Sequence, residues 1–79
     1  MAQTNTKKRS VFTAPAEGRI LELRMTESAA VKKNQVVMEF GDGELVYHLL
    51  APKDGTVRII ADTKHTYRIG DPLFAVEFA

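Results

Sequence analysis

Apolar residues along the chain fall in short runs separated by polar punctuation, and no stretch sustains the three-to-four spacing of an amphipathic helix. The best helical candidate, residues 26–31, is too short to stand as one. Strand patterns recur instead. The segment "RILELR" alternates and directs Ile20, Leu23 and Met25 toward a core, while "VVMEF", "LVYHLL", "TVRIIA" and "LFAVEF" are β-branched or aromatic runs of strand length. Turn signals lie between them: Ala-Glu-Gly at 16–18, Lys-Lys-Asn at 32–34, Gly-Asp-Gly at 41–43, Lys-Asp-Gly at 53–55 and Gly-Asp-Pro at 70–72. Many short strands with regular turns predict an all-β fold, a flattened sandwich or small barrel of antiparallel sheets.

The pattern also repeats. "APAEGRILEL" at 14–23 returns as "APKDGTVRII" at 51–60, and "VKKNQVVMEF" at 31–40 returns as "YRIGDPLFAV" at 67–76. The offset is 37 residues at the first pair and 36 at the second. Asn34 thus falls opposite Gly70, and these two residue types share a tolerance for left-handed backbone, which predicts the same turn at both places. Two copies of one unit, neither able to bury its apolar face alone, predict a fold with internal pseudo-two-fold symmetry.

Composition narrows the picture. At 79 residues the chain is one domain, close to the size at which a single core suffices, and it has no cysteine for disulfides or thiolate metal sites. Net charge is +1, but Lys7, Lys8 and Arg9 sit together; residues 10–79 hold eight basic and ten acidic residues, a net charge of −2. That balance argues against a dedicated nucleic-acid surface. The first ten residues, MAQTNTKKRS, are polar and read as a disordered tail ahead of a domain at 11–79. They lack the apolar run of a secretory signal, and no window reaches transmembrane length, so the expectation is a cytoplasmic chain without membrane insertion.

Taken in order, Ala14-Pro15-Ala16-Glu17-Gly18, the turn Val31-Lys32-Lys33-Asn34-Gln35, a hairpin, a second Ala-Pro-x-x-Gly at 51–55 and Gly70-Asp71-Pro72-Leu73 resemble the biotinyl/lipoyl carrier domain family. The likeness spans residues 11–79. It implies two facing antiparallel sheets to which each half of the chain contributes strands. It also implies a modified lysine at the tip of the hairpin, eight residues before the second Ala-Pro proline. Here that position is Glu44, within the hairpin of Gly41, Asp42, Gly43 and Glu44, and no lysine lies between Lys33 and Lys53. A carboxylate cannot form the amide that links biotin or lipoate, because that bond needs a nucleophilic amine. Either Asp42-Gly43 or Gly43-Glu44 can form the centre of the turn, and side-chain alternation does not choose between them.

The remaining candidates have plain alternatives. Glu44 is either an electrostatic contact for a partner or a solvated tip residue. Lys53, Lys32 and Lys33 read as solvated turn lysines, with off-position modification as the rival. His48 and His65 lie seventeen positions apart without a cysteine or a spaced carboxylate pair, so no metal site is expected, and His48 is expected to face outward. Phe12, Phe40, Phe74 and Phe78 read as core filling on separate strands, and no catalytic set or phosphate loop is present. The resulting expectation is a non-enzymatic biotinyl/lipoyl-like domain without cofactor, acting through protein partners in a larger complex, with self-association left open. Two alternatives stay open: a biotin or lipoate carrier modified at a displaced lysine, and the lipoyl-like portion of a membrane-pump adaptor. A small oligonucleotide-binding barrel is disfavoured by the repeat and the charge.

Overall fold

A computed structural model describes residues 8–78. Its strands are β1 (Lys8–Thr13), β2 (Gly18–Leu23), β3 (Ala30–Val31), β4 (Val36–Gly41), β5 (Val46–Leu50), β6 (Gly55–Ile59), β7 (Thr66–Tyr67) and β8 (Pro72–Phe78). Among the described residues there is no helix, and so none that is long and apolar enough to cross a membrane. Two four-stranded antiparallel sheets form, one in the order β1-β8-β6-β3 and the other in the order β5-β4-β2-β7. The five strand-length runs seen in the sequence become β2, β4, β5, β6 and β8.

The internal repeat extends to single hydrogen bonds. Exchanging β1 with β5, β8 with β4, β6 with β2 and β3 with β7 converts the order of one sheet into that of the other. Register follows: Val31 pairs with Gly55 as Tyr67 pairs with Gly18, and Arg9 pairs with Glu77 as Val46 pairs with Gly41. The Asn34 amide donates to the Ala51 carbonyl over 2.8 Å, and the Gly70 amide donates to that of Ala14 over 2.9 Å. In the same turns the Lys32 amide donates to Gln35 Oε1 over 2.9 Å and the Arg68 amide to Asp71 Oδ2 over 2.8 Å. Asn34 has φ of 73° and Gly70 of 92°, so both turns use the left-handed backbone that this residue pair predicts.

Close backbone approach explains the glycine of each Ala-Pro-x-x-Gly segment. A Cβ on Gly18 would stand 2.7 Å from the Gly41 carbonyl oxygen, and one on Gly55 would overlap the carbonyl oxygen of Glu77. Each glycine opens a strand that pairs on both sides within its sheet. A side chain there would force the two central strands of the sheet apart.

The core lies between the sheets and is apolar throughout: Phe40, Phe74, Met38, Leu73, Val37, Val57 and Val76 are its largest fully buried side chains. Strict alternation fails where a strand bulges. On β4 the register shifts between Val36 and Met38, and Val37 and Met38 are both buried although adjacent. On β2 it shifts between Ile20 and Glu22; Ile20 is buried and Met25 packs on the core, but Leu23 is 39% exposed rather than a core contact. Phe12 stacks on Phe74 with ring centroids 5.1 Å apart, while Phe74 and Phe78 share β8 instead of occupying separate strands. The first strand also begins earlier than the expected boundary at Val11: Lys8, Arg9 and Ser10 pair with Phe78, Glu77 and Val76. Residues 1–7 of the expected tail lie outside the described residues.

The two left-handed turns provide a test of backbone cost without packing cost, since a Cβ on Gly70 would meet nothing within 4 Å. Gly70→Val is expected to lower stability by about 1–3 kcal/mol from backbone strain. Asn34→Gly is expected to be neutral or mildly stabilising. Urea denaturation of the two variants beside the parent measures both.

Candidate functional site

The hairpin between β4 and β5 holds Glu44, the position singled out in the sequence. Gly41 pairs with Val46, which leaves residues 42–45 as the loop. The Asp42 amide donates to the Leu45 carbonyl over 3.3 Å, and Gly43 takes φ of 97°. Gly43 and Glu44 are therefore the central pair, which resolves the choice of register left open by the sequence. Asp42 Oδ1 accepts from the Glu44 and Leu45 amides at 3.0 and 2.9 Å, folding the side chain over the turn as an Asx cap. These two donors, Leu45 first, hold the Asp42 carboxyl below the ordinary aspartate range. Glu44 projects from the apex, exposed, and Leu45 beside it is 57% exposed.

Below the hairpin, an open polar recess of about 320 Å³ is lined by Glu17, Gly18, Arg19, Gly41, Asp42 and Thr66. It brings two carboxylates and one guanidinium to the foot of the tip. A second recess, of about 580 Å³, lies at the opposite end of the β4–β5 ladder, around residues 30–35 and Asp54. Lys32 and Lys33 belong to this turn, where the Lys33 amide donates to Asp54 Oδ1 over 2.7 Å. Lys53 follows β5 at the same end and sets its Nζ 4.7 Å from the centroid of the Phe78 ring, a cation–π contact. All three displaced lysines thus stand away from the apex.

The histidines do not converge. His48 is exposed on β5, with Nδ1 3.9 Å from Glu39 Oε2. His65 Nδ1 lies 2.7 Å from Asp62 Oδ1 in the turn before β7, where the Asp62 amide donates to the Tyr67 hydroxyl. Among the described residues no three His, Cys, Asp or Glu side chains gather in a group able to hold a metal ion.

Sequence reasoning missed the polar network on the outside of the β1-β8-β6-β3 sheet. Arg58 Nε donates to Glu77 Oε1 at 3.1 Å, and its Nη1 reaches Glu27 Oε2 at 3.0 Å and Ser28 Oγ at 2.8 Å. Arg9 Nη2 completes the row on Glu77 Oε2 at 2.9 Å. Arg9 first, then Arg58, holds the Glu77 carboxyl below its usual range. Glu27 Oε1 also accepts the Ile59 amide at 2.7 Å, and Ser28 takes φ of 69° where it turns the loop under Arg58. The outward alternation of Arg9, Arg58 and Glu77 was the available signal; the loop carboxylate that joins them has no local pattern. On the other sheet Arg24 pairs with Glu39 and lies 3.7 Å from Glu22. Both networks have every member matched by an opposite charge or hydrogen-bond partner.

Acid should act on the tip. Because the folded Asp42 binds its proton less readily than the unfolded chain does, its contribution is present above the unfolded aspartate pKa. It fades as pH falls through the lower folded value. The Leu45 amide NMR shift is expected to titrate in that acid range, and Asp42→Asn, which keeps the acceptor oxygen without the charge, is expected to remove most of that response. Neither protein-family models nor curated protein sequences give a match to this chain.

Proposed function

We propose that this is a biotinyl/lipoyl-like domain that carries no cofactor and works through protein contacts as an accessory module of a larger assembly. The observation that carries this reading is Glu44 at the apex of the four-residue tip, the place where the resembling family presents its lysine. The order of turns along the chain and the exchange symmetry of the two sheets support the same kinship. A ligase that attaches biotin or lipoate must bring an activated acyl carbon within about 3–3.5 Å of an amine. Glu44 offers none. Lys32, Lys33 and Lys53 lie at the far end of the β4–β5 ladder, in turns whose backbone is tied down by Asp54 and Ala51. The exposed side chains of the tip and of β5, Leu45, Val46 and Leu50 among them, offer one surface to a protein partner.

Coexpression with biotin and lipoate ligases tests the reading. The unmodified mass of the chain is expected to persist, and a shift matching either cofactor on Lys32, Lys33 or Lys53 would establish a displaced-lysine carrier instead. Glu44→Lys is the complementary variant: with an amine restored at the apex, a fraction of the chain is expected to gain the cofactor mass from a ligase tolerant of the Gly43 and Leu45 flanks.

A further inference from the structure

The two sheets present four edge strands, and three of them are defended against pairing with another chain. The edges β3 and β7 are two residues long. The edge β1 carries Lys8 and Arg9. Short length and basic side chains are ordinary means of blocking edge-to-edge association. The fourth edge, β5, has none of them. Its five residues, VYHLL, include no proline and no Lys, Arg, Asp or Glu, and the bulges of the β4–β5 and β1–β8 ladders fall at equivalent places on the inner strands β4 and β8, so charge alone separates the two long edges. Because β5 is the pseudo-symmetric counterpart of β1, the contrast is between two strands in equivalent surroundings: Val46, His48 and Leu50 stand where β1 places Arg9, Val11 and Thr13.

The hydrogen-bonding direction of β5 is set at both of its ends. The Leu45 carbonyl accepts from Asp42, and the Ala51 amide donates to Gln35, so both point toward β4. Alternation along the strand directs the backbone groups of Tyr47 and Leu49 the same way and those of Val46, His48 and Leu50 to the free side. Among the described residues nothing pairs with that side. The side chains of these three residues are exposed as well, with Val46 at 40% and Leu50 at 39%.

We infer that β5 is a self-association edge, and that its occupant is the β5 strand of a second copy of this chain, antiparallel about a two-fold axis at His48. That axis faces Val46 with Leu50 of the second copy, and His48 with its own equivalent. Each of the three facing pairs is of the type that exchanges two backbone hydrogen bonds. Val46 and Leu50 then cover one another across the junction at both ends. The same register sets Glu44 level with Pro52 and Lys53 of the second copy, again at both ends, so the flanking charges are opposite in sign. The result is one continuous eight-stranded sheet through the dimer. This inference is independent of whether the chain carries a cofactor.

Sedimentation equilibrium and amide hydrogen exchange, read on the full chain across a concentration series, test it. The mass is expected to rise from one chain to two. The Val46, His48 and Leu50 amides should exchange fast when dilute and become protected as the mass doubles, while Tyr47 and Leu49 stay protected throughout. His48→Pro removes a donor that faces the free side and spares the β4 ladder, and Val46→Lys supplies the missing edge charge. Each is expected to weaken dimerisation at least about tenfold, since either change removes or repels paired edge groups. If His48→Pro proves unfolded by circular dichroism, Val46→Lys alone decides. A chain that remains single at millimolar concentration would overturn the inference. So would a dimer that forms without protecting the three amides, or one that Val46→Lys leaves intact.

Discussion

The approach of two backbones at Gly18 and at Gly55 is the constraint around which this domain is organised. At each point a proline-led turn delivers the chain into the middle of a sheet, against a carbonyl that leaves no room for a Cβ. From there β2 and β6 run through the centre of opposite sheets, and β4 and β8, two strands further along the chain, close on them as immediate neighbours. The inward side chains of these four strands, with Ile20 facing Phe40 and Val57 facing Val76 across the ladders, supply most of the core. A half chain would leave that apolar face in water, which makes the two repeats obligate partners.

What was legible in the sequence was whatever the symmetry demands twice. The Ala-Pro-x-x-Gly segments and the Asn34 and Gly70 turns recur because the same backbone path must be built in both halves, and each rests on a residue type with few substitutes. Other features were not legible. The β3 and β7 strands, although symmetric counterparts, are two residues long and too short to show a period. Lys8 and Arg9 resembled a solvated tail because their strand is held by a pairing with β8 from the far end of the chain, and no local pattern records a partner so distant. Leu23 and the adjacent Val37 and Met38 departed from alternation because a bulge adds one residue to a strand and shifts its phase. At the hairpin, the sequence left both Asp42-Gly43 and Gly43-Glu44 open, and the choice of Gly43-Glu44 as the central pair came from the bonding of Asp42, which alternation does not record.

The symmetry is confined to the backbone and the core. Outside, the two sheets have diverged: one is crossed by the row of Arg9, Glu77, Arg58 and Glu27, the other by the cluster of Arg24, Glu22 and Glu39. Exposed ion pairs of this kind contribute little to stability one at a time. They do determine which surface is already matched by its own charges and which is left for contact with another molecule. The recurrent scaffold and the unequal exterior are therefore separable layers of the same sequence, and only the outer layer distinguishes the tip and β5 from their counterparts.

The equivalence of the Arg9–Glu77 pair with the Val46–Gly41 pair has a mechanical consequence. At one apex of the sandwich the two strands are joined by the covalent loop at residues 42–45; at the other, Lys8 and Phe78 face each other with only their ladder between them. Tension applied between residues 8 and 78 therefore loads the β1–β8 bonds one after another, from the open end inward, as in a zipper. Tension applied between residue 44 and either of those two runs along the length of the sandwich and strains several ladders at once, in shear. The domain is compliant when pulled at one end and stiff when pulled from end to end, a mechanical anisotropy that follows from where the symmetric framework is covalently closed.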